Sequence, residues 1–132
     1  MADETTGTIV VATPDPDLAL LLELAIGGEG YSVLTVGNGK DALSLAFSRV
    51  PRALFLEREL PGLSAEDVLK NLQSFEATRL IPVVISMNRP LNLADFPVVR
   101  VGVDHVIEKP LSLRKLRAVL ASIRRVASET LR

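Results

Sequence analysis

The 132-residue chain is predicted to fold as a three-layer α/β sandwich around a parallel five-stranded sheet. Three observations carry this expectation. Short runs such as "TIVVA", "ALFLE" and "IPVVIS" are apolar at nearly every position, as strands covered on both faces must be. Segments with apolar residues at three- and four-residue spacing separate these runs. Strand and helix signals also alternate five times, and parallel strands need helical crossovers, which are right-handed and cover both faces.

The first strand is expected over 8–12, ending in "TPDPD". Asp15 supplies a helix N-cap and Pro16 an N1 proline, and Leu18, Leu21, Leu22 and Ala25 follow at helical spacing. "GGEG" at 27–30 stops that helix, because glycine tolerates a left-handed C-cap. A second strand covers 31–36, and Gly37-Asn38-Gly39 turns into a helix with Ala42, Leu43, Ala46, Phe47 and Val50 on one face. The third strand is 53–57. Ser64 and Asp67 resemble a capping box opening a helix whose inward residues are Val68, Leu69, Leu72 and Phe75. The fourth strand covers 81–86 and a short fifth lies around Val106 and Ile107. The last helix starts near Ser112, with Leu113, Leu116, Leu120 and Ile123 facing the core. Between the last two strands, Pro90 and Pro97 interrupt a segment of helical length, and Val98, Val99 and Val101 are poor helix formers. That fourth helix is expected to be short or irregular, with one turn near Leu91–Asp95.

Composition narrows the function. Fifteen basic and sixteen acidic residues leave a net charge of −1, so no strong field favours nucleic acid or an anionic membrane. Without cysteine there is no disulfide or thiolate metal site, and one histidine, His105, cannot complete a histidine-based one. The acidic, polar start is unlike a signal peptide, and no apolar stretch approaches spanning length. One domain over 1–132 (core 8–126), cytoplasmic and without cofactor, is expected. "GGEG" follows a helix instead of opening one, and "VVATPDPD" lacks a G-x-G-x-x-G pattern, so nucleotide or FMN binding gains no support.

In an open parallel sheet, sites form at the carboxyl ends of the strands: Thr13-Pro14-Asp15, Glu57, Ser86-Met87-Asn88 and Lys109-Pro110. Strand-ending "FLERELPG", the later "GVDHVIEKP" and five βα units together resemble the receiver domain of two-component response regulators. The resemblance implies a flavodoxin-like (βα)5 fold with strand order 2-1-3-4-5. It also implies five functional groups, most of which are replaced. Thr13 and Pro14 stand, counting back from Asp15-Pro16, where two metal-binding acids belong, and neither offers the oxygens a hard cation requires. Glu57 takes the place of the phosphoacceptor aspartate, with its carboxylate about 1.5 Å farther out. Met87 replaces the hydroxyl residue of the fourth strand, and alternation is expected to turn Ser86 to the other side. Val106 replaces the coupled aromatic. Lys109-Pro110 is retained, the resemblance suggesting a cis bond there and an approach of Lys109 to Glu57.

The expected function is a phosphorylation-independent pseudo-receiver, a protein–protein interaction module rather than an enzyme. Its partner would be a signalling protein such as a histidine kinase-type component, or a second copy in a homodimer. Phe96 with its apolar neighbours, and Arg114, Arg117 and Arg124 on the last helix, form the candidate partner surface. The alternative is a phosphoacceptor receiver using an atypical carboxylate, Asp15 or Glu57.

Overall fold

A computed structural model describes the backbone of residues 7–88, 98–100 and 103–130, with side chains as far as residue 125. Its elements in chain order are β1 (Thr8–Ala12), α1 (Pro16–Gly27), β2 (Ser32–Val36), α2 (Gly39–Arg49), β3 (Ala53–Glu57), α3 (Ala65–Gln73), β4 (Val83–Met87), β5 (His105–Glu108) and α4 (Leu113–Thr130). The five strands form one parallel sheet in the expected order β2-β1-β3-β4-β5. Leu91–Asp95, with Pro90, Phe96 and Pro97, lies outside the described residues. The short or irregular helix expected there is therefore not among the four helices described.

Strand alternation sorts the core into two halves. Val10, Ala12, Leu54, Leu56, Val83, Ile85 and Met87 face α2 and α3, where Ala42, Ala46, Val68, Leu69 and Leu72 meet them. Ile9, Val11, Phe55, Val84 and Ile107 face α1 and α4 and pack on Leu22, Ile26, Leu116, Leu120 and Ile123. Both faces are buried, which is why the strands read as continuous apolar runs.

Several helix-face expectations need correction. Leu21, Phe47, Phe75 and Leu113 are exposed, and Ile26 is a buried anchor of α1. Phe75 lies beyond the end of α3 and meets Phe47 edge to face, with ring centroids 5.1 Å apart. Val50 is outside α2: it is the C-cap, held in the left-handed region at φ 44°. The α1 cap, Gly28, is right-handed, and the positive φ falls on Gly30.

Local chemistry sets the ends that matter for the site. The Asp15 carboxylate accepts the amides of Asp17 and Leu18 at 3.0 and 3.4 Å, so it caps α1. After β3, Gly62 turns the chain at φ 85°, which a side chain would strain. The amide of Gly39 then donates to the Pro61 carbonyl at 3.0 Å, and a Cβ on Gly39 would lie 2.1 Å from the Leu63 carbonyl oxygen. That close approach fastens the Leu-Pro-Gly turn against the start of α2.

A charged clamp places β5. Asp104, its side chain fully buried, accepts the Val83 amide at 2.9 Å and the Arg100 amide and Nε at 2.9 Å each. The Arg100 guanidinium also donates to the carbonyls of Arg79 and Ile81. The aspartate of "GVDHVIEKP" thus ties the entry of β5 to the first residue of β4, and Lys109 follows at the far end of that strand.

Candidate functional site

The register brings the strand ends together. Ala12 is level with Leu56, Glu57 with Ser86, and Met87 with Glu108. A cavity of about 140 Å³ opens there, lined by Glu57, Arg58, Glu59, Ser86, Met87, Asn88 and Lys109. The expected Glu57–Lys109 approach is present. The Lys109 Nζ lies 2.7 Å from Oε1 and 2.5 Å from Oε2 of Glu57, so the ammonium spans both oxygens. The two side chains are only 13% and 26% exposed, for Glu57 and Lys109 respectively. The Lys109–Pro110 bond is cis, and the Lys109 amide donates to the Met87 carbonyl at 2.7 Å, holding the lysine at the strand end.

Ser86 departs from expectation. It shares the face of Glu57, because residues level on neighbouring parallel strands point the same way. Its hydroxyl is 3.4 Å from Glu57 Oε2, and the residue is buried. Met87 points instead into the core on the α2 and α3 side, and Val106 packs against the same cluster. The hydroxyl was legible in the sequence, but its side of the sheet depended on the register of β4 against β3, which sets Ser86 level with Glu57. The strand runs to Met87, not to Ser86.

At the end of β1, Thr13 continues the strand's course by donating its amide to the Val36 carbonyl at 3.0 Å. It is buried, and its Oγ1 accepts the Asp15 amide at 3.1 Å. Pro14 is exposed in the turn, outside the residues lining the cavity. By register Ala12 is level with Leu56, the residue before Glu57, and Thr13 follows at the strand end. Neither carries a carboxylate. Arg58, which also lines the cavity, pairs with Glu66 at 3.4 Å.

The basic helix is partly used within the chain. Arg117 pairs with Glu29 at 3.2 Å, and Arg124 donates to the Glu29 carbonyl at 2.7 Å while lying 5.4 Å over the Tyr31 ring. Arg114 is exposed, and Phe96 lies outside the described residues. His105 sits on edge strand β5, away from the cavity. Burial lowers its pKa, and the neighbouring Asp104 carboxylate opposes that shift.

Among the described residues no three His, Asp or Glu side chains converge as a metal site. No described helix is long and apolar enough to cross a membrane.

Compared with known protein families, the chain matches no family model. It is 29% identical over 122 residues to the DNA-binding response regulator MtrA of Mycolicibacterium smegmatis, which covers 92% of this chain and 52% of that protein. The chain spans about half the length of the curated relatives it matches. Among solved structures, one from Chloroflexus aurantiacus described as a response regulator superposes with a TM-score of 0.80 at 24% identity, covering 90% of this chain and 98% of that one. The receiver domain of sensor histidine kinase PA1611 from Pseudomonas aeruginosa gives a TM-score of 0.78 at 19% identity, covering 89% and 97%. That structure holds a magnesium ion in its active-site cleft. The donors in the present cleft do not fit such an ion. Ala12 and Thr13 offer no carboxylate, and Glu57 is already paired with Lys109.

Proposed function

We propose that this chain, a CheY-like receiver domain of the response-regulator type, works without phosphorylation as a pseudo-receiver. Receiver domains are signalling modules of two-component systems. In this one, Glu57 would anchor Lys109, and the domain would act through the surface it presents to another protein. It would be a binding module rather than an enzyme, without cofactor, in the cytoplasm. A histidine kinase-type component or another signalling protein of that system is the proposed partner.

One observation carries the reading: the end of β1 next to the phosphoacceptor position holds Ala12 and Thr13, neither with a carboxylate to hold a metal. Phosphoryl transfer to a carboxylate requires positive charge to stabilise the transferring group. Here the lysine's charge is already matched by Glu57, and the β1 strand end supplies no ligands for a metal. Met87 and Val106 add to this, since neither has a hydroxyl or a ring with which to transmit a change. Asp15, the other carboxylate of the alternative reading, is occupied in capping α1.

The test is titration of Mg²⁺ with beryllofluoride, and separately with acetyl phosphate, read by backbone amide shifts. No saturable shift is expected at residues 12–15, 57 or 87. Saturable shifts there would establish the phosphoacceptor alternative instead. Glu57→Gln is expected to leave affinity for a captured signalling partner unchanged; a large change would make Glu57 a mimic of the phosphorylated state.

A further inference from the structure

We infer that α1 and α4 form a self-association face, with α1 of one copy packing on α4 of a second. The inference is independent of the chemistry at Glu57. It begins with an apolar excess on α1 that the core does not use. Leu22 and Ile26 are buried, whereas Leu20, Leu21 and Leu24 are 57%, 56% and 67% exposed. They fall at three- and four-residue spacing with exposed Asp17, so they form one outward stripe. Glu23 flanks it.

The outward stripe of α4 is its counterpart. Arg114, Ala118, Ala121 and Arg125 recur at positions i, i+4, i+7 and i+11, and all four are exposed. Two alanines leave a shallow groove into which a leucine ridge can sink, and an arginine stands at each end. Acidic residues beside leucines on one helix thus match basic residues beside alanines on the other. Arg117 and Arg124 are committed to Glu29 and Tyr31 and only brace α4 against the end of α1.

Geometry makes the match self-complementary. Both helices cover the same face of the sheet, and both return between parallel strands or follow the last one, so they run in the same direction. A two-fold axis parallel to them places α1 over the partner's α4 and α4 over the partner's α1. The complementary pair then forms twice, as an isologous interface requires. The contact length is that of the 12-residue α1, about 18 Å. With two helices side by side roughly 10 Å apart, the patch belongs to the small, weak class of interface. Charge complementarity argues for a second copy as occupant, over a purely apolar surface such as lipid.

Sedimentation equilibrium from about 10 µM to about 1 mM measures the association directly. The weight-average mass is expected to rise toward twice that of the monomer and to rise less in high salt. Leu24→Asp is expected to raise the dimer Kd at least tenfold, and because Leu24 is exposed, an unchanged circular dichroism melt verifies the fold. Asp17→Arg and Arg114→Asp are each expected to weaken the dimer, and the two together in one chain to restore it. A chain monomeric at every concentration overturns the inference, as does a dimer indifferent to Leu24→Asp. Failure of the charge swap overturns the α1–α4 pairing. Shifts of α1 amides with phosphatidylglycerol vesicles, in place of self-association, would assign the stripe to a lipid surface and overturn it too.

Discussion

Lys109→Met, Glu57→Gln and the double variant form a thermodynamic cycle on the pair at the centre of the site. With Nζ 2.7 Å from Oε1, the gross attraction at an effective dielectric of about 20 is roughly 6 kcal/mol. Desolvation opposes it, at up to several kcal/mol per ion for complete burial. Here the side chains remain 13% and 26% exposed, so hydration is only partly lost. The net coupling should therefore be about 1–3 kcal/mol, above the ~0.2–1 kcal/mol of exposed pairs. Each single variant should cost more than the coupling alone suggests, because one charge is left in a cavity of about 140 Å³ without its partner. Urea unfolding of the four proteins measures the cycle, with equal m-values required for the comparison. The coupling should also persist in high salt, since a half-buried pair is screened less than a surface pair. A coupling below about 0.5 kcal/mol would place the pair among ordinary surface contacts. It would refute the reasoning that partial burial strengthens the Glu57–Lys109 pair.

Three further outcomes test the scaffold around the site. Asp104→Ala removes the acceptor of the Val83 amide and of Arg100, and should cost about 3–5 kcal/mol in urea unfolding, as breaking a buried ion pair does. A cost below about 1 kcal/mol would mean that the clamp does not hold β5. Val50→Gly relieves a β-branched residue at φ 44° whose side chain is half exposed, and should raise stability by about 0.5–1 kcal/mol, with a higher melting temperature. Burial lowers the His105 pKa below its ordinary 6.5, so on acidification the unfolded chain takes up the proton before the folded one. Stability should fall as pH drops below about 6.5, then level off once folded His105 also protonates. His105→Gln should flatten that part of the pH–stability curve, and an unchanged slope would exclude His105 as its source.

Much of the architecture was already legible in local chemistry. Short apolar runs bounded by turn residues fitted strands covered on both faces, and the Asp15 and Ser64 caps fixed where two helices begin. The chain's 53–57 and 8–12 strands matched to the residue. The Glu57–Lys109 approach followed from resemblance, since the two residues are 52 positions apart and nothing local joins them.

What failed had a common physical origin. Apolar residues at helical spacing show that a helix has an apolar side, but α1 is apolar on more than one. Only packing chose Leu22 and Ile26 for the core and left Leu20, Leu21 and Leu24 outside. Ser86 lies on Glu57's side because the strand register pairs the two, and shifting a register by one residue reverses every side chain. Asp104 stood in the sequence as a motif residue without a role, because its partners, Val83 and Arg100, are gathered only by the sheet. Residue types and their spacing by themselves determined the layers and the limits of β1 and β3, while the resemblance pointed to the lack of metal-binding acids at the end of β1. The tertiary structure decided which hydroxyl meets Glu57, which cations remain on the surface and which leucines lack a partner. Those depend on contacts between distant segments, where sequence separation carries no information about distance.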